Sequence, residues 1–185
     1  KGYLKIFLNI VKLLIKLDVM KKLIFDSKRR KNTMFFSKNK LVKDNLKGSA
    51  KLMFQDVSKD AWDQENLTKE NLDFTVDSIR YIDLYAKKLM TTDAELLDKH
   101  FDNFVGRIGA YIGEVIKKSI EQDFHWYEFD SVYNHSSNFY ETSRNKKAWT
   151  LLYSKKSDCV ITPLLVVAEF FEGDTTYTDF LGYVE

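Results

Sequence analysis

Cysteine, proline and glycine are scarce in this chain: one Cys, one Pro and seven Gly among 185 residues. A single cysteine excludes an internal disulfide framework and any multi-cysteine zinc site. One proline and so few glycines exclude collagen-like and proline-rich architectures. Long uncharged apolar runs are missing as well. The first stretch, KGYLKIFLNIVKLLIKLDVMKKLIF, is interrupted by Lys5, Lys12 and Lys16. That disfavours a signal peptide, whose uncharged core runs about 7–15 residues, and a membrane-spanning helix, which needs about 20 mostly apolar residues. Catalytic signatures are wanting too: no G-x-S-x-G elbow, no H-E-x-x-H, no Walker loop, no dinucleotide fingerprint. No cofactor and no metal are therefore expected, and the reading leans away from an enzyme.

What is present is a globular balance, with 44% hydrophobic and 30% charged residues. The length suits one domain with an appendage. The net charge of +2 conceals a division. Residues 1–51 hold 15 Lys/Arg against 3 Asp/Glu, and residues 52–185 hold 14 against 24. The expected organisation is a basic helical arm over 1–51 and a single acidic domain over 52–185.

On a helix, Lys1, Lys5, Asn9, Lys12 and Lys16 fall in one polar stripe within a wide apolar surface. The preferred reading docks this helix on the acidic body. The competing one lays it on an anionic membrane, with lysines edging a buried apolar face. Lys28, Arg29, Arg30 and Lys31 form the densest basic patch. Such a run can neutralise phosphates, but short lysine-rich runs are weak motifs, so a nucleic-acid role ranks below a solvated face.

In the body, Leu72, Val76, Ile79, Ile82, Ala86 and Leu89 recur at helical spacing and predict a helix over 68–90. Thr92 and Glu95 read as a capping box opening a second helix that runs to Ile120. Gly106, Gly109 and Gly113 lie inside it. Each glycine there costs about 0.5–1 kcal/mol relative to alanine, so another element is expected to pass close to this backbone. Residues 124–133, 148–153 and 158–162 read as strands. Thr162-Pro163 then opens a helix that Gly173 ends. The fold class expected is α+β: helices packed on a small, mainly antiparallel sheet of about three strands.

The order Gly109-Ala-Tyr111-Ile-Gly113-Glu114-Val, then Trp126 on a strand, then a proline-started helix, resembles small bacterial α+β domains of unknown function built around a G-x-Y-x-G-E-V helix. The resemblance spans residues 68–185. It implies an accessory protein of the kind found in mobile-cassette or defence-related, immunity-type loci. It carries over no activity, and it marks Gly109, Tyr111, Gly113 and Glu114 as a packing and interaction surface.

The chemistry-bearing residues are few. His100, His125 and His135 show no ligand spacing. Cys159 lies in an apolar stretch and reads as a small buried hydrophobe. Glu114 stands out beside the glycines. Buried, it would serve as a general acid or base; the plainer reading makes it an acceptor for a tyrosine, Trp126 or a backbone amide, fixing the helix on the sheet. Gly109, Tyr111, Gly113, Glu114 and Trp126 together are the candidate groove. The function expected is that of a cytoplasmic, non-enzymatic bacterial interaction protein whose acidic surface suits a basic protein partner. A homo-oligomer is compatible with it. The alternatives are a membrane or nucleic-acid binder acting through the arm, and a ligand-binding domain or hydrolase using Glu114.

Overall fold

The computed structural model describes residues 40–120, 123–137, 150–173 and 177–185. The basic arm up to residue 39, including Lys28, Arg29, Arg30 and Lys31, lies outside the described residues, and so does the question of what its amphipathic helix docks on. The chain divides after Asn39, and the unit Lys40–Glu185 is the one described below. The charge boundary at residue 51 falls inside its first helix.

That unit is α+β. Its helices are α1 (Lys47–Gln55), α2 (Ala61–Asn66), α3 (Ile79–Thr91), α4 (Ala94–Lys99), α5 (Phe101–Ser119), α6 (Phe129–Tyr133), α7 (Pro163–Phe171) and α8 (Phe180–Val184). Three strands, β1 (Phe124–Tyr127), β2 (Leu151–Ser154) and β3 (Cys159–Ile161), form an antiparallel sheet in the order β1-β2-β3. Trp126 pairs with Leu152, and Leu152 with Ile161. The outer edge of β1 is covered by residues 42–44: the Asp44 amide donates to the Trp126 carbonyl and the Glu128 amide to the Val42 carbonyl, both at 3.0 Å.

The long helix α5 is the axis of the core. Val105, Ile108, Ile112 and Val115 on it are fully buried with Ile79, Ile82 and Leu89 of α3, Ala50 of α1, Val167 of α7 and Leu152 of the sheet. A second, smaller cluster (Tyr127, Val132, Leu151 and Tyr153) covers the other face of the sheet. Cover on both faces explains why all four residues of β2 are buried instead of alternating with solvent. Among the described residues no helix is long and apolar enough to cross a membrane.

Several local expectations are corrected. Residues 68–78 are not helical. Thr68, Asp73 and Thr75 accept hydrogen bonds from the amides of Asn71, Thr75 and Ser78, and such side-chain bonds compete with a helix. Thr92 is not an N-cap but the C-cap of α3: its amide donates to the Lys88 carbonyl at 2.8 Å. Asp93 precedes α4 instead, without a capping bond, its carboxylate drawn to Lys88 at 3.2 Å. The predicted helix from 92 to 120 is broken at His100 into α4 and α5. The aromatic run 124–133 is a strand only as far as Tyr127. Phe129 and Tyr133, four apart, stack on α6 with ring centroids at 6.1 Å. Residues 61–66 form α2, where the Asp60 carboxylate caps the Asp63 amide at 3.1 Å. Cys159, at the start of the edge strand β3, is exposed. The proline-started helix α7 is as expected, and Gly173 follows it at φ 74°, the left-handed backbone that glycine adopts without penalty.

Candidate functional site

Two of the three glycines of α5 are where backbones and rings come closest. A Cβ on Gly109 would stand 2.7 Å from Leu164 Cα on α7. A Cβ on Gly113 would stand 2.3 Å from the Cζ2 and Cη2 atoms of Trp126. Gly106 has nothing within 4 Å of such an atom, so its presence has no packing reason.

The Cζ2–Cη2 side of the Trp126 ring lies against Gly113, and its indole nitrogen is tethered. Its Nε1 donates to Glu114 Oε1 at 2.7 Å, and Lys117 Nζ donates to the same oxygen at 2.7 Å. Glu114 therefore fixes the sheet to α5, as the plainer reading anticipated. Tyr111 is fully buried on another side of α5. Its hydroxyl lies 2.6 Å from Ser78 Oγ and accepts the Phe74 amide at 3.0 Å. Burial pushes the phenol up.

Of the five residues proposed for a groove, Gly109, Tyr111, Gly113 and Trp126 are buried in packing, while Glu114 lines a cavity. That cavity, of about 380 Å³, lies between α1 and α5 and is walled by Lys47, Phe74, Glu114, Lys117 and Lys118. An adjoining cavity of about 390 Å³ shares Phe74 and adds Lys51, Phe54, Lys69, Leu72 and Asp73. Phe54 and Phe74 meet edge to face at 6.1 Å.

The two cavities, which share Phe74, thus form a groove along α1 whose apolar floor is edged by five lysines and two carboxylates, Glu114 and Asp73, within a unit that carries 18 Lys/Arg against 25 Asp/Glu over residues 40–185. Lys117 is engaged by Glu114, and Lys118 Nζ donates to the Asp73 carbonyl at 3.2 Å. The Thr75 hydroxyl and amide hold the Asp73 carboxyl below the usual range. The side chains of Lys47, Lys51 and Lys69 make no hydrogen bond or ion pair with the described residues.

Phe74 is the residue that sequence reasoning missed. Its φ of 61° is a left-handed conformation that costs a non-glycine residue about 1–2 kcal/mol. Tyr111 offsets that cost by accepting the Phe74 amide and stacking on its ring at 4.7 Å. The available signal was the cluster Asp73-Phe-Thr75 with Ser78, a turn-forming set placed inside an apparently helical pattern.

Elsewhere Lys88, Asp158 and Asp83 have structural partners. Lys88 Nζ lies within 3.2 Å of Asp60, Asp63 and Asp93. Burial opposes its charge, but the three carboxylates outweigh that and raise its pKa. Asp158 is the last residue of the β2–β3 turn and accepts from Ser136 Oγ at 2.6 Å, the Ser137 amide at 3.1 Å and the Tyr153 hydroxyl at 2.8 Å. Burial would raise its pKa, yet these donors hold it at about 2. Asp83 is buried on α3 and accepts the Phe180 and Leu181 amides at 2.6 and 3.2 Å, which pins α8. Among the described residues no cluster of three or more His, Cys, Asp or Glu could hold a metal ion. No family model, curated protein or solved structure matches the chain.

Proposed function

We propose that this chain is a non-enzymatic protein-interaction module, of the accessory or immunity type that its resemblance implies. One observation supports it most: the groove between α1 and α5 has an apolar floor and a cationic rim, the make-up of a surface that receives another chain. Glu114, the carboxylate best placed for acid–base work, shares one oxygen between Trp126 and Lys117. That arrangement favours a positioning role over proton transfer.

Co-expression with the products of neighbouring genes, followed by size-exclusion chromatography with light scattering, tests the reading. A stable hetero-complex is the expected result. Turnover of a small substrate by the chain alone, lost in Glu114→Gln, would overturn it in favour of the hydrolase reading.

A further inference from the structure

We infer that the groove between α1 and α5 binds an acidic protein segment carrying an apolar anchor side chain. This rests on the interaction-module reading and departs from the basic partner expected from overall charge. The sign of the partner is set by the local surface. Lys47 and Lys51 stand one helical turn apart on α1, Lys117 and Lys118 stand on α5, and Lys69 closes the rim. Three of these five cations, Lys47, Lys51 and Lys69, make no described side-chain hydrogen bond or ion pair. A basic segment would meet them with like charge, which costs affinity and specificity. An acidic one would meet Lys47, Lys51 and Lys69, the three without a described partner.

The anchor follows from the floor. Each cavity falls in the range of roughly 300–1,000 Å³ that receives small ligands, and the shared wall is the Phe74 ring. Phe74 is held in its left-handed conformation by Tyr111, so the ring is fixed before any partner arrives. A fixed aromatic wall lowers the ordering cost of binding. An aromatic or aliphatic side chain between acidic residues is the matching shape.

The experiment is an amide-resolved NMR titration of the full chain with a short peptide in which glutamates flank one phenylalanine. The expected result is a set of shifts centred on residues 47–55, 69–74 and 114–118, weakening as salt rises. The double variant Lys51→Glu/Lys69→Glu should weaken binding by about tenfold or more, since it replaces two rim attractions by repulsions. Lys99→Glu, an exposed reversal on α4, should leave it unchanged.

Replacing the phenylalanine of the peptide by alanine should also weaken it. Shifts confined to residues 1–39, equal effects of the groove and Lys99 reversals, or preferential binding of single-stranded DNA of equal charge would each overturn the inference, as would absence of any shift. A neighbour-encoded complex that survives the groove reversals would overturn the groove assignment alone and leave the interaction-module reading standing.

Discussion

Alanine placed at each glycine of α5 should give opposite signs within one helix. Gly106→Ala adds a methyl group into open space, so the gain in helix propensity stands alone, about 0.8–1.0 kcal/mol of stabilisation. Gly113→Ala has the same propensity gain but puts its Cβ 2.3 Å from two ring carbons of Trp126. Those atoms cannot yield easily, because Trp126 is 2% exposed and its indole nitrogen is tied to Glu114. Overpacking of this kind costs about 1–3 kcal/mol, and a displaced ring also loses a hydrogen bond to a charged group, about 1.5–3 kcal/mol. The net expectation is destabilisation of about 1.5–5 kcal/mol, from the same two magnitudes less the propensity gain.

Gly109→Ala meets Leu164 Cα at 2.7 Å, backbone rather than a ring edge, so α7 itself must move and the loss should be similar. Urea unfolding monitored by circular dichroism measures all three. Adding Trp126→Phe to Gly113→Ala should recover part of the loss, a non-additivity expected of residues in contact. If Gly109→Ala and Gly113→Ala proved as stable as Gly106→Ala, the account of α5 as a close-packed axis would be wrong.

Further outcomes can be measured on the same preparation. Glu114→Leu should cost about 1–3 kcal/mol by leaving the buried indole N–H unpaired, while Glu114→Gln, which keeps an acceptor, should cost less than about 1 kcal/mol; equal losses in urea unfolding would contradict the tether. Burial pushes Tyr85 up to about 12, and burial with Asp158 pushes Tyr153 up to about 12. Unfolded phenols ionise near pH 10 or so, and the unfolded chain then binds fewer protons than the folded one. Stability should therefore be intact below that value and fall above it, by about 1.4 kcal/mol per pH unit per group, and Tyr85→Phe should flatten the decline. Asp158 behaves in the opposite sense: its contribution is present above the ordinary carboxylate range and is lost as pH falls through about 2. Asp158→Asn tolerates the φ of 49° but forfeits the charge, so it should cost about 1–3 kcal/mol at neutral pH and show a flatter acid limb. An unchanged acid limb would refute the assignment.

The legible parts of this protein were those in which a local pattern has one physical solution. Pro163 at the first position of a helix and Gly173 just past its end agree with α7 because both signals act within a turn of backbone. The apolar spacing of Ile79 to Leu89 and of Ile108 to Val115 identified buried faces, since periodicity reports which side is dry. Gly109 and Gly113 announced close approach, and the approach is there.

The sequence did not separate Gly106 from them, because a glycine's cost is local while its reason belongs to a distant neighbour. Tertiary structure alone decided which acceptor takes the Trp126 nitrogen, and it turned Asp93 back toward Lys88 instead of onto the helix that follows it. It also brought Lys47, Lys69 and Lys117, far apart in sequence, around one phenylalanine. Charge totals along a chain are sums, whereas a surface potential depends on which charges fold side by side. Thus an acidic unit presents a cationic groove that its composition does not reveal.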